Sequence, residues 1–343
     1  MKRQLLVAAG LSMFALVGVE AQDLQTSACP PGNVGSPIPD AARAAQDVCQ
    51  QAYDLYQFMS PQLGLALAGG NATLGQASTL GGIGHFSVGV RFNGFQGSLP
   101  QVDRFTQSTT GAQRGQLPTK DQWLGLPTAD AAIGIFSGLP LALTNVGGLD
   151  ALVSASYVPT FTSGTVSVTP SSSFQLGYGL RVGLLSESIL VPGVSFTYLR
   201  RDLPTTSISG TTNAGTTNAA TLKISNMKVQ TSAMRLVASK SFLLFSFAGG
   251  VGKDSYDQSA DISGAISTSI GGLGSVSSQV PNTKQKLDRT NLFLDAALNL
   301  PFFKIVGEVG QVSGGKVATY NSFAGGRADK DQQYFSLGVR FGF

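Results

Sequence analysis

Three groups of side chains in this sequence are of types that do chemistry. His85 and Ser87 stand two residues apart, and a histidine base within reach of a serine hydroxyl is the arrangement of nucleophilic catalysis. Arg91, Arg181 and Arg340, with Asp295, Lys304 and Glu308, are isolated charges among apolar and glycine neighbours. Such groups line a water-filled path or neutralise one another inside a fold. Cys29 and Cys49 are the only cysteines, and in an oxidising compartment two in one short segment favour a disulfide. One His and two Cys exclude multi-His, multi-Cys and iron–sulfur centres, so no metal or other cofactor is expected. A net charge of +4 without a Lys/Arg block leaves no nucleic-acid footprint.

The elements that must position these groups are strands. Charged residues make up 12% of the chain, about half the soluble norm of roughly 25%, which points away from an ordinary soluble fold. In Phe335–Phe343 every odd position is apolar, while the even ones are Ser336, Gly338, Arg340 and Gly342. Period-two alternation of this kind is a strand with one apolar and one wet face. Phe86–Phe92 and Phe174–Leu184 repeat it, with Arg91 and Arg181 on the wet side. Further strands are expected at Ala129–Gly138, Leu149–Tyr157, Leu190–Arg201, Leu222–Ser239, Leu243–Tyr256, Asp288–Leu300 and Phe303–Val312. Tyr157, Tyr198, Tyr256 and Phe302 at strand ends suit an interfacial girdle. In Leu222–Ser239 the apolar parity switches near Met234, which predicts a bulge there or a misplaced boundary.

Connections alternate between tight turns, as at Ser239–Leu243, and long stretches rich in Ser, Thr, Gly and Asn, as at Asp202–Ala220 and Asp257–Leu287. Together these features predict an all-β fold, a transmembrane antiparallel up-and-down β-barrel of about 10 strands (range about 8–14) over residues 84–343. Closure is the physical reason, since hydrocarbon tolerates no unpaired sheet edge. By parity the three arginines face the interior, with Asp295, Lys304 and Glu308 opposite. A barrel of that size is narrow, because about eight strands are already filled by side chains.

Residues 1–21 read as a signal peptide: Met1-Lys2-Arg3 is basic, Leu5–Val19 is apolar, and small residues precede a cut after Ala21. Residues 22–83 form a linker and a short helical segment, expected as a plug in the barrel or a periplasmic cap. Asp40–Met59 carries Ala41, Ala45, Val48, Ala52, Leu55 and Met59 at helical spacing. Ser60-Pro61 is expected to stop this helix and open a second, Gln62–Ala68, closed by Gly69-Gly70.

The C-terminal Tyr334–Phe343 resembles the assembly signal of bacterial outer-membrane β-barrel proteins, an alternating last strand ending in Phe. The resemblance implies a bacterial outer-membrane location among lipid and lipopolysaccharide. It also implies insertion by the barrel assembly machinery, with Phe335, Leu337, Val339, Phe341 and Phe343 as the recognised face. It names no functional family. His85-Phe86-Ser87 resembles the catalytic pair of outer-membrane lipid A deacylases, but no Asn follows Ser87. Both residues are expected to point inward, away from lipid, so the chain reads as a non-enzyme. The expected role is a narrow, porin-like passive channel or transporter for small solutes, its arginines favouring anions. One alternative is a hydrophobic-ligand transporter, since Leu63–Leu67 and Gly69–Gly84 are loosely similar to the hatch of long-chain fatty acid transporters, which have more strands. The other is a non-transporting structural or adhesive barrel.

Overall fold

The computed structural model describes residues 26–32, 39–141, 143–163, 165–212, 219–267 and 275–342. The expected signal peptide and Phe343 lie outside them. Among the described residues, ten strands close into a ring: β1 (Phe86–Pro100), β2 (Thr119–Phe136), β3 (Gly148–Tyr157), β4 (Phe174–Leu185), β5 (Gly193–Asp202), β6 (Ala220–Phe242), β7 (Phe245–Ser267), β8 (Ser275–Asn299), β9 (Lys304–Ser313) and β10 (Gln332–Gly342). Each pairs antiparallel with its neighbours in sequence, and β1 closes the ring on β10 through pairs such as Val90 with Val339. No edge remains in this ring, as a bilayer requires.

The outer surface explains the alternation. Val88, Val90, Leu176, Leu180, Leu294 and Val309 all point outward and are exposed, giving an apolar belt around the ring. Aromatic pairs mark its two margins: Phe303 with Phe341 (5.9 Å) at the tight-turn end, Trp123 with Phe335 (5.6 Å) and Tyr157 with Phe174 (5.0 Å) at the long-loop end. Tyr256 does not belong to this girdle, because it is fully buried against the interior.

Three strands run much further than a membrane needs. β6 and β7 have 23 residues each and β8 has 25, whereas about 9–11 residues span a bilayer. The expected loop Asp257–Leu287 is therefore largely strand. Outside the bilayer the two faces exchange character: Lys228, Lys253, Lys284 and Asp288 point out to water, while Leu222, Ile224, Ile262 and Leu287 turn inward. This corrects the reading at Met234. The bulge lies at Ser225–Lys228, where Asn226 takes a φ of 52°. At Met234 the strand stays regular and the surroundings change from water to lipid.

The inward apolar faces are covered by one helix, α1 (Pro39–Ala68), of 30 residues and about 45 Å. Val48, Ala52, Leu55 and Tyr56 pack with Leu222, Ile262 and Leu287 in the main core cluster. Gly264 of β7 meets the backbone of Val48 and Cys49, leaving no room for a Cβ. The expected break at Ser60-Pro61 does not occur. Proline removes the N–H that would bond the Gln57 carbonyl, and the wall supplies a substitute, Gln285 Nε2 donating to Gln57 O (3.4 Å); beside it Gln258 Nε2 donates to Ser60 O (2.6 Å).

Candidate functional site

The helix ends in mid-barrel, where beyond the bond from Gly69 N to Leu65 O (2.8 Å) its last carbonyls run out of donors along the chain. The wall provides them. Asn93 Nδ2 donates to Leu65 O (3.0 Å) and Ala66 O (3.1 Å), and Arg201 Nη1 to Leu67 O (3.3 Å). Arg235 Nη2 donates to Ala68 O (2.6 Å) and Arg91 Nη1 to Gly69 O (2.7 Å). Three guanidinium groups thus meet the negative end of the helix dipole. Gly70 then turns the chain with a φ of 75°, and Arg91 Nη1 occupies the place a Cβ would take.

Residues 71–80 descend through the rest of the ring, and the wall holds their backbone too. The N–H groups of Asn71, Gly75 and Leu80 donate to Glu308 (3.0 Å), Asp295 (2.9 Å) and Asp150 (3.1 Å). The carbonyls of Leu74 and Gln76 accept from Arg340 (3.1 Å) and Arg181 (3.2 Å), and Ala77 N–H donates to Ser239 Oγ (2.9 Å). The arginines also pair within the wall: Arg91 and Arg201 with Asp130, Arg181 with Asp150 (2.6 Å), and Arg235 with Asp254 (3.6 Å). These arginines are thus used on wall carboxylates and on one stretch of backbone, whereas Arg289 donates to Lys330 O of a long loop (2.6 Å). Beside Ala72 and Leu74 a crevice with room for about one water lies against the β1–β10 wall, lined by Arg91, Asp130 and Arg340.

Five of the six interior residues expected from parity converge on this segment. Lys304 lies on the same face of β9, half-buried and in register with Arg340. Sequence reasoning missed Asn93, Asp130, Asp150, Arg201, Arg235 and Asp254; parity marks Asp130 and Asp150 as inward, since each follows an outward Ala or Leu in an alternating run. His85 and Ser87 are not brought together on an inner face. His85 precedes β1 and is exposed, its carbonyl accepting from Gly134 N of β2, while Ser87 is buried. Among the described residues no cluster of three or more His, Cys, Asp or Glu could hold a metal. Phe335, Leu337, Val339 and Phe341 lie on the outward face of β10.

At the long-loop end the helix is fastened from above. Cys29 and Cys49 are joined, with Cα atoms 5.9 Å apart, and Gln50 Oε1 accepts from Ala28 N (2.6 Å). Two carboxylates seven residues apart hold two long loops. Asp47 accepts from Ser108 N (2.8 Å) and Gln113 N (3.0 Å), and Asp54 from Tyr320 N (2.8 Å) and Asn321 N (2.9 Å). Burial pushes both carboxyls up, Asp54 to about 6, against the lowering effect of those bonds.

No family model and no curated protein matches this chain. Several solved structures are similar. An outer membrane channel from Pseudomonas putida F1 shares 8% identity over 78% of this chain and 98% of that chain, with a TM-score of 0.32. The translocator domain of autotransporter NalP from Neisseria meningitidis shares 11% over 87% and 100%, with a TM-score of 0.35. The Pseudomonas putida toluene transporter TodX shares 12% over 79% and 96%, with a TM-score of 0.31. At such values the chain's own geometry has to carry any functional reading.

Proposed function

We propose that this chain is an integral bacterial outer-membrane β-barrel of the channel or transporter class, held closed by its own N-terminal segment. The location is supported by the closed ring and its apolar belt, which only a bilayer would cover. Exported residues 1–21, assembly by the outer-membrane machinery and contact with lipopolysaccharide belong to the same reading. The domain plan is a signal peptide, a plugging segment to residue 83, and the barrel from residue 84.

The observation that carries the closed state is the pattern of interior bonds. Arg91, Arg181 and Arg340 each donate to a carbonyl of residues 69–76 instead of facing open water. Small solutes would pass only when residues 69–84 shift. The arginines would then line the vacated path and favour anions. Chemistry on substrate has no support in the positions of His85 and Ser87. Proteoliposomes bearing the purified barrel test the reading through swelling in small sugars and anions. Slow uptake that rises when the plug is loosened supports it; uptake as fast as an open pore overturns it.

A further inference from the structure

The path of the leading segment has a direction. His85 O accepts from Gly134 N (2.9 Å), and Thr79 lies against Gly148 and Gly183, all at the tight-turn end of the ring. Moving toward the N-terminus, Leu74 meets Gly338, Gly69 meets Asn93, and Gln62 Nε2 donates to Ser98 O (3.1 Å). Asp47 then reaches Ser108 in a long loop, and Pro30 O accepts from Ser278 Oγ (2.6 Å) near the start of β8. Each step climbs the wall, so the chain enters the ring at the tight-turn end and leaves it among the long loops. Thr26, Pro30 and Pro31 are exposed there. A plug that folded back from its own end of the barrel would leave both ends of the segment on one side; this one passes through.

We infer that the barrel displays its leading segment on the outer surface of the cell: residues 26–32 stand on the long-loop side, and the Cys29–Cys49 crosslink anchors them there. The chain would then display its leading segment beside the loops bound by Asp47 and Asp54 as well as close a channel. The inference rests on the outer-membrane reading for the side that the long loops face.

The test is antibody labelling of intact cells. One variant carries an epitope between Gln25 and Thr26, a second between Ser172 and Ser173 in a long loop, and a third beside Leu243 in a tight turn. Heat-modifiable gel mobility verifies that each barrel is folded. The first two epitopes are expected to label on intact cells, and the third only after the outer membrane is permeabilised. Labelling at Ser172 with silence at Thr26 overturns the display while leaving the membrane reading standing. Labelling at Leu243 alone overturns both. Should the first insertion hinder folding, Thr26→Cys with the Cys29–Cys49 disulfide kept gives the same readout with a membrane-impermeant maleimide, the two native thiols being joined: reaction on intact cells supports the display, and reaction only after permeabilisation overturns it.

Discussion

Arg340→Met is the cleanest way to loosen the plug without breaking the wall. Arg181 and Arg235 are each the ion-pair partner of one wall carboxylate, so removing either would strand a buried charge at a cost of about 3–5 kcal/mol, and Arg91 and Arg201 share Asp130. Arg340 instead bonds Leu74 O and Gln76 Oε1, both on the plug. Methionine keeps much of the bulk and removes these charge-assisted bonds, worth about 1.5–3 kcal/mol. That energy is lost from the closed state alone, so the open fraction should rise about 10- to 150-fold. The remaining latch bonds keep the closed state dominant, and the change should be seen in planar bilayers as more frequent openings. Arg200→Ala serves as the reference, since Arg200 meets Asp202 at 3.6 Å on the half-exposed outer face and should change little. A folded Arg340→Met barrel that opens no more often than the parent would refute the latch.

Other consequences are open to direct measurement. Gly264→Val should push the helix off β7 by overpacking, at about 1–3 kcal/mol, and increase trypsin cleavage at the exposed Arg43 while the barrel stays heat-modifiable. Leu180→Arg puts a charge in the middle of the lipid belt and should destabilise the barrel by about 2–4 kcal/mol in lipid-based refolding titrations. Asp54 has a folded pKa of about 6 against an ordinary 3.8, so the folded chain binds its proton more tightly. Its contribution is fully present below pH 3.8 and is lost as pH rises through about 6, up to about 3 kcal/mol in total. Thermal unfolding between pH 4 and 7 should show this slope, and Asp54→Asn should flatten it.

The ring was legible where one surrounding acts on the whole strand. Phe86–Phe92, Phe174–Leu184 and Phe335–Phe343 alternate cleanly because lipid covers one face from end to end. The upper halves of β7 and β8 escaped notice because water replaces lipid outside and the helix replaces polar filling inside, so Lys284, Lys286 and Leu287 carry the opposite parity of meaning. The continuous helix was illegible at Pro61, since the compensating donor Gln285 lies 228 residues along the chain from the Gln57 carbonyl it serves. The inward direction of Arg91, Arg181 and Arg340 followed from parity. Their partner did not, because a backbone carbonyl leaves no mark in the sequence.

The most direct test of the closed barrel is single-channel conductance of the refolded mature chain beside the same barrel lacking residues 22–84. Both must first show heat-modifiable mobility. The full chain is predicted to stay closed with brief openings, and the truncated barrel to conduct in stable, anion-preferring steps. Equal, steady conductance from both would contradict a lumen closed by its own leading segment.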